Sequence, residues 1–127
     1  MKLEKIGCEF SVCKLSSVEQ IDLSRKYTFL SISPDEISLV CESEFVPKDA
    51  IEAERGWKAL RVSGTLDFGL VGIVAKISGV LAENKISIFV VSTYDTDYIL
   101  VKEQNIERAI NALSNSGYDI VDHPAHQ

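Results

Sequence analysis

Two β-branched, apolar runs, residues 86–92 and 98–102, lie on either side of a polar turn at residues 94–97. This pattern reads as a pair of strands joined by a short reversal. What constrains the fold most is what flanks them. Upstream, Leu70, Ile73, Val74, Ile77 and Leu81 recur at helical spacing and predict a helix over residues 70–83. Downstream, Ile106, Ala109, Ile110 and Leu113 make a second stripe, with Asn105 as its cap and Gly117 as its end. Asn84 is the expected left-handed stop of the first helix. Outside the helices lie two further strand patterns, residues 57–63 and 118–121. The order βαββαβ is that of a ferredoxin-like split βαβ unit, an α+β fold.

The N-terminal half predicts a shortened version of the same plan. Residues 9–15 read as a strand and 17–22 as a short helical turn. Residues 27–33 and 37–42 form a hairpin around Pro34-Asp35-Glu36, and 47–54 a short helix. The chain therefore reads as two units, a degenerate copy over residues 1–60 and a fuller one over 61–127, joined near residues 58–62. No Gly/Ser linker separates them. Units of about sixty residues have marginal cores alone, so they are expected to pack as one body.

The formal net charge is −6, and Lys and Arg are scattered, with Arg25-Lys26 as their one cluster. This balance argues against nucleic acid and against an anionic membrane surface. The longest apolar run, Ile88 to Val91, is far too short to span a bilayer. Residues 1–5 alternate charged and apolar without a signal-peptide core, so a cytoplasmic protein is expected. Cys8, Cys13 and Cys41 are an odd count without a CxxC pair and read as small apolar strand residues. His123 and His126 flank Pro124 in what reads as a solvated tail.

Two segments carry the chemistry. Residues 67–72 run through Asp67, Phe68, Gly69, Leu70, Val71 and Gly72 into the predicted helix. A glycine-bearing entry to a helix presents unpaired N–H groups and a positive dipole end, a seat for a carboxylate or phosphate. Equally, both glycines serve helix–sheet packing and Asp67 is a local turn residue. Neither a GxGxxG nor a Walker loop is present, so nucleotide binding is not indicated. Residues 92–97 offer Ser92, Thr93, Tyr94, Asp95, Thr96 and Asp97. Asp95 and Asp97 suit an ammonium or guanidinium, or are simply turn residues. A calcium loop would need further ligands. No serine or cysteine sits in a nucleophile motif with a matching histidine, so neither an enzyme nor a cofactor or metal is expected.

The segment from Asp67 to Ala75, the string Ser92-Thr93-Tyr94-Asp95-Thr96-Asp97-Tyr98-Ile99-Leu100-Val101 and the βαββαβ order resemble the ACT domain. They are similar to small bacterial tandem-ACT proteins and to the ACT repeats of the cytosolic arginine sensors called CASTOR. The resemblance covers residues 57–118 and extends more loosely to the N-terminal strands. It implies an amino-acid-binding regulatory module without catalytic groups, and a homodimer with side-by-side sheets giving four copies. It places the ligand at an interface between copies, contacted by Asp67, Phe68, Gly69, Leu70, Val71 and Gly72 and faced by Thr93 and Asp97. The loop departs from the family's common Asp-x-Pro-Gly in having no proline, and Leu70 stands where the arginine sensors carry an acid. A smaller or apolar amino acid therefore fits at least as well as arginine. Within one unit the loop and the turn need not adjoin, so a site using both calls for the other copy or a second subunit. Two functional readings follow from the residues. One is an amino-acid sensor acting on itself or on an unknown protein partner. The other is a structural or interaction module with this fold and no small ligand.

Overall fold

The computed structural model describes residues 1–63 and 71–124. Its regular elements in chain order are β1 (Lys2–Ile6), β2 (Phe10–Leu15), β3 (Phe29–Ile32), β4 (Ile37–Glu42) and β5 (Glu52–Val62). They continue with α1 (Ile73–Glu83), β6 (Ile88–Ser92), β7 (Asp97–Lys102), α2 (Ile106–Asn115) and β8 (Asp119–His123). The chain divides into one unit of Met1–Gly7 with Lys58–Gln127, and another of Cys8–Trp57. The join expected at residue 60/61 falls inside β5, a strand whose residues the two units share.

The first unit has the strand order β6-β7-β5-β1-β8. β6 and β7 form the expected hairpin, with Ile88 opposite Val101 and Ser92 opposite Asp97. β1 lies between β5 and β8, antiparallel to the first, with Leu3 opposite Val62, and parallel to the second, with Leu3 opposite Ile120. Residues on alternate strand positions point to one face. Leu60 with Val62, and Ile99 with Val101, therefore share a face, and they pack with Ile77 and Leu81 of α1 and Ile106, Ala109 and Leu113 of α2. These are the stripes the periodicity marks. The face away from the helices carries the cross-strand pair Glu4 and Arg61, joined by an Arg61 Nη1–Glu4 Oε2 contact of 3.1 Å.

Helix ends differ slightly from expectation. Within the described residues α1 begins at Ile73. Its left-handed terminal residue is Lys85 (φ 58°), not Asn84, whose φ is −94°. The Asn84 amide instead donates to the Val80 carbonyl at 2.9 Å, and Ile86 N–H returns to Leu81 at 2.9 Å, so the reversal comes one residue later. α2 is entered through a 3₁₀ turn, Glu103–Asn105, and Asn105 makes no side-chain cap. Gly117, at φ 98°, ends it as predicted. His123 is not in a solvated tail: it closes β8, with Nδ1 3.1 Å from Glu4 Oε1. His126 lies outside the described residues.

The second unit has the strand order β3-β4-β2-β5. The β3–β4 hairpin closes with Ile32 opposite Ile37, as the sequence predicts. Cys13, Leu15, Leu39 and Cys41 form its buried cluster with Ile21, Ile37, Val46 and Ala50 around them. The predicted helix at residues 47–54 is absent, whereas 17–22 hold a single turn, with Ile21 N–H donating to the Val18 carbonyl at 3.2 Å. Residues 17–22 form turns and bends, and 47–51 turn directly into β5. Strand pairing wins at the second of these: Ile51 N–H donates to the Lys14 carbonyl at 2.8 Å, which extends the β2–β5 ladder back through the predicted helix. Further along, the register slips between Phe10 and Val12, whose partners are Trp57 and Glu54, so two residues on β5 face one on β2. Gly56, at φ 83°, supplies the left-handed residue such a bulge needs.

Because Leu3 is fully buried between two strands and under both helices, Leu3→Ala is expected to cost about 2–5 kcal/mol. Ile32→Ala, on a side chain 65% exposed, should stay within about 0.5 kcal/mol. Urea denaturation of both variants checks the contrast.

Candidate functional site

Gly72 caps α1 from a left-handed conformation, φ 78° and ψ 12°, with no side-chain cap and no acidic residue in the first turn. A Cβ at Gly72 would meet nothing within 4 Å, so the glycine answers a backbone requirement and not a packing one. The Lys76 N–H donates to the Gly72 carbonyl at 2.9 Å. The N–H groups ahead of it in the first turn have no intrahelical acceptor, as at every helix start. Val71, just before, is 85% exposed.

The β6–β7 turn is knit by its own side chains. Thr93 donates to the Thr96 carbonyl twice, through N–H at 2.8 Å and Oγ1 at 3.1 Å. Ser92 Oγ donates to Asp97 Oδ1, across the cross-strand pair that opens β7. Thr96 does something different: its buried Oγ1 donates to the Val62 carbonyl at 2.7 Å. Val62 is the last residue of β5, the strand that feeds the segment leading to α1. One buried hydrogen bond therefore ties the turn to the strand end before residues 67–72, within a single unit.

Of the eight sequence-predicted site residues, Asp67, Phe68, Gly69 and Leu70 lie outside the described residues. Val71 and Gly72 stand at the start of α1, exposed. Asp97 is half-buried with one carboxylate oxygen held by Ser92, and the Thr93 hydroxyl is turned into its own turn. Thr96, which the sequence offers only as one hydroxyl among several, is the residue that fixes the turn in place. Its signal is weak, because a threonine in a turn is ordinary turn chemistry.

Other polar clusters lie elsewhere. Glu4 bridges Arg61 and His123, with the Arg61 guanidinium 6.0 Å from the Tyr98 ring centre. The Cys13 and Cys41 thiols hydrogen-bond across β2 and β4, which holds Cys13 below the usual thiol range and, with burial, pushes Cys41 above it. Among the described residues no group of three or more His, Cys, Asp or Glu is placed to hold a metal ion. No helix among them is long and apolar enough to cross a membrane.

An ACT domain family model matches residues 52–115, a span running from β5 through the turn to the end of α2. The human cytosolic arginine sensor for mTORC1 subunit 1 is 30% identical over 105 residues, covering 75% of this chain and 32% of that protein. The human putative protein CASTOR3P is 28% identical over 102 residues, covering 71% of this chain and 63% of that one. The chain thus spans about a third of the length of the arginine-sensor relatives it matches. Among solved structures, an Agrobacterium tumefaciens protein superimposes with a TM-score of 0.85 at 29% identity, over 99% of this chain and 97% of that one. The regulatory subunit of aspartate kinase from Thermus thermophilus superimposes with a TM-score of 0.60 at 10% identity, over 91% and 96%. That second likeness bears on the fold alone, which is the ferredoxin-like α+β fold the sequence predicts.

Removing the Thr96 hydroxyl at constant shape leaves the Val62 carbonyl without its buried donor. Thr96→Val should therefore cost about 1–3 kcal/mol of stability. Measured by urea denaturation, a loss within about 0.3 kcal/mol would show that the tie is not holding the turn.

Proposed function

Because the chain belongs to the ACT-domain family, we propose that it is a non-catalytic, amino-acid-binding regulatory module. The observation that carries this reading is the Thr96–Val62 hydrogen bond, which brings the acid-bearing turn to the strand end preceding the glycine-bearing segment. A zwitterion needs its carboxylate and its ammonium held at once. The start of α1 suits the carboxylate, and Asp97, with a second carboxylate oxygen beyond the one Ser92 engages, suits the cation. In this proposal Asp67, Phe68, Gly69, Leu70, Val71 and Gly72 contact the ligand, with Thr93 and Asp97 facing them. The site is completed across a homodimer interface, where the second unit acts as a degenerate ACT copy. The protein works in the cytosol, as its relatives, the cytosolic arginine sensors, do. Ligand binding signals by favouring one arrangement of the module, or of an unidentified protein partner, over another.

A specific observation favours the second reading, a structural or interaction module without a small ligand. The hydroxyls of Ser92, Thr93 and Thr96 all bond inside the unit. A turn so satisfied has a structural use whether or not it meets a ligand.

A thermal-shift series over the twenty amino acids, with calorimetry on any that act, separates the two. A ligand at a hundred times its dissociation constant adds about 2.7 kcal/mol. The expected result is selective stabilisation by one amino acid or a few chemically similar ones, lost in Asp97→Ala. No shift with any amino acid at millimolar concentration would leave the interaction module as the function.

A further inference from the structure

β2 and β4 lie side by side in the second unit, with Ser11 opposite Cys41 and Cys13 opposite Leu39. Residues two apart on a strand share a face, so Cys13 and Cys41 are diagonal neighbours on one face of the sheet. Both are buried and both belong to the unit's apolar cluster. Their thiols are in hydrogen-bond contact, with Cys41 S–H donating and Cys13 accepting. That bond holds Cys13 below the usual thiol range, with burial acting against it and the Arg55 guanidinium in the same direction. The charge of a thiolate therefore falls on Cys13 and the proton on Cys41. A crevice of about 10 Å³, room for one water-sized molecule, reaches Cys41 and is lined by Ile21, Arg25, Thr28 and Phe45 among others. Its walls are held by local contacts. Arg25 Nε is 3.2 Å from Asp22 Oδ2, and the Arg25 guanidinium lies 4.0 Å from the centre of the Phe45 ring. Both side chains of the Asp22–Arg25 pair are about half exposed, so this wall opens at low cost.

Two thiols in contact, one favouring the thiolate and the other keeping its proton, have the parts that disulfide formation needs. We propose that Cys13 and Cys41 are an oxidation site, which a hydroperoxide converts to an intramolecular disulfide joining β2 to β4. The inference is independent of the amino-acid-binding reading. With hydrogen peroxide, the Cys13 thiolate attacks one peroxide oxygen. The S–O bond forms, the O–O bond breaks, and the leaving hydroxide takes up the proton that Cys13 released on ionising. The products are a Cys13 sulfenic acid and one water. The Cys41 sulfur then attacks the Cys13 sulfur. The S–S bond forms, the S–O bond breaks, and the hydroxide leaves with the Cys41 proton as a second water. Two thiols thus lose two protons and two electrons, and one peroxide gains them. The diagonal placement makes the link reversible. Diagonal residues have their backbones further apart than directly opposed ones, so closing the bond shifts β4 against β2 and leaves strain. Strained disulfides are the readily reduced ones.

The test exposes the folded full chain to hydrogen peroxide, alkylates the remaining thiols in denaturant and maps the peptides by mass spectrometry. Expected is a linked peptide containing Cys13 and Cys41, two hydrogens lighter than its separate halves, that dithiothreitol abolishes. Cys8 lies between β1 and β2, outside the pair, so Cys8→Ser should form the same link at an unchanged rate. Cys13→Ala and Cys41→Ala should each lose it. The native chain alone decides the matter if either alanine variant fails to fold. Full alkylation of both thiols, after a treatment that oxidises free glutathione completely, would overturn the inference. So would a link that involves Cys8 alone, a sulfinic acid at either residue without the link, or a link that forms only in urea.

Discussion

Everything in the larger unit depends on the five residues of β1 finding two strands far along the chain, one in its middle and one near its end. β1 completes the ladders of β5 on one side and β8 on the other, and Leu3 has Val62 and Ile120 as its two lateral neighbours. An antiparallel partner can be reached by a short turn, but a parallel one requires a crossover. Here that crossover is the remainder of the protein. The backbone groups that β1 satisfies on β5 and β8 would otherwise be open sheet edges. The same insertion places Leu3 in the core with Leu81 and Leu113, under both helices. Such long-range pairing makes this unit's assembly costly in loop entropy, because its central strand pair and its last strand are far apart in sequence.

How much of this is legible in the sequence follows from the range over which each signal acts. The helical stripes are local, and Ile77, Leu81, Ile106, Ala109 and Leu113 are buried as their spacing predicts. The β6–β7 hairpin is equally local, and its register closes on Ser92 and Asp97. The role of β1 is not local. Residues 1–5 show alternation, but nothing in a five-residue pattern says which strands it will join. The missing helix at residues 47–54 fails for a related reason. Its helical signal competes with a ladder to β2, and the pairing of Ile51 with Lys14 and the bulge at Gly56 belong to that ladder. Neither can be seen without knowing where β2 lies.

The candidate site divides in the same way. Composition identifies the turn, since serine, two threonines and two aspartates within residues 92–97 mark a polar corner. Composition does not say which way each group points. The Thr93 hydroxyl is spent inside the turn and Asp97 is half engaged by Ser92, whereas Thr96 reaches out to Val62. The expectation that a site using both turn and loop calls for another copy rests on topology, and the structure adds that β7 lies beside β5, which lets Thr96 meet Val62 at that strand's end.

A regulatory module must convert binding into a difference between two states, and a ligand transmits only its differential affinity for them. One cavity of the larger unit lies where separate segments meet. It is bounded by α1, by the residues after α2 and by Met1, three segments that lie apart in sequence and share a core through Ile77, Leu81, Leu113 and Leu3. The interior itself is close-packed and leaves little room for gradual adjustment.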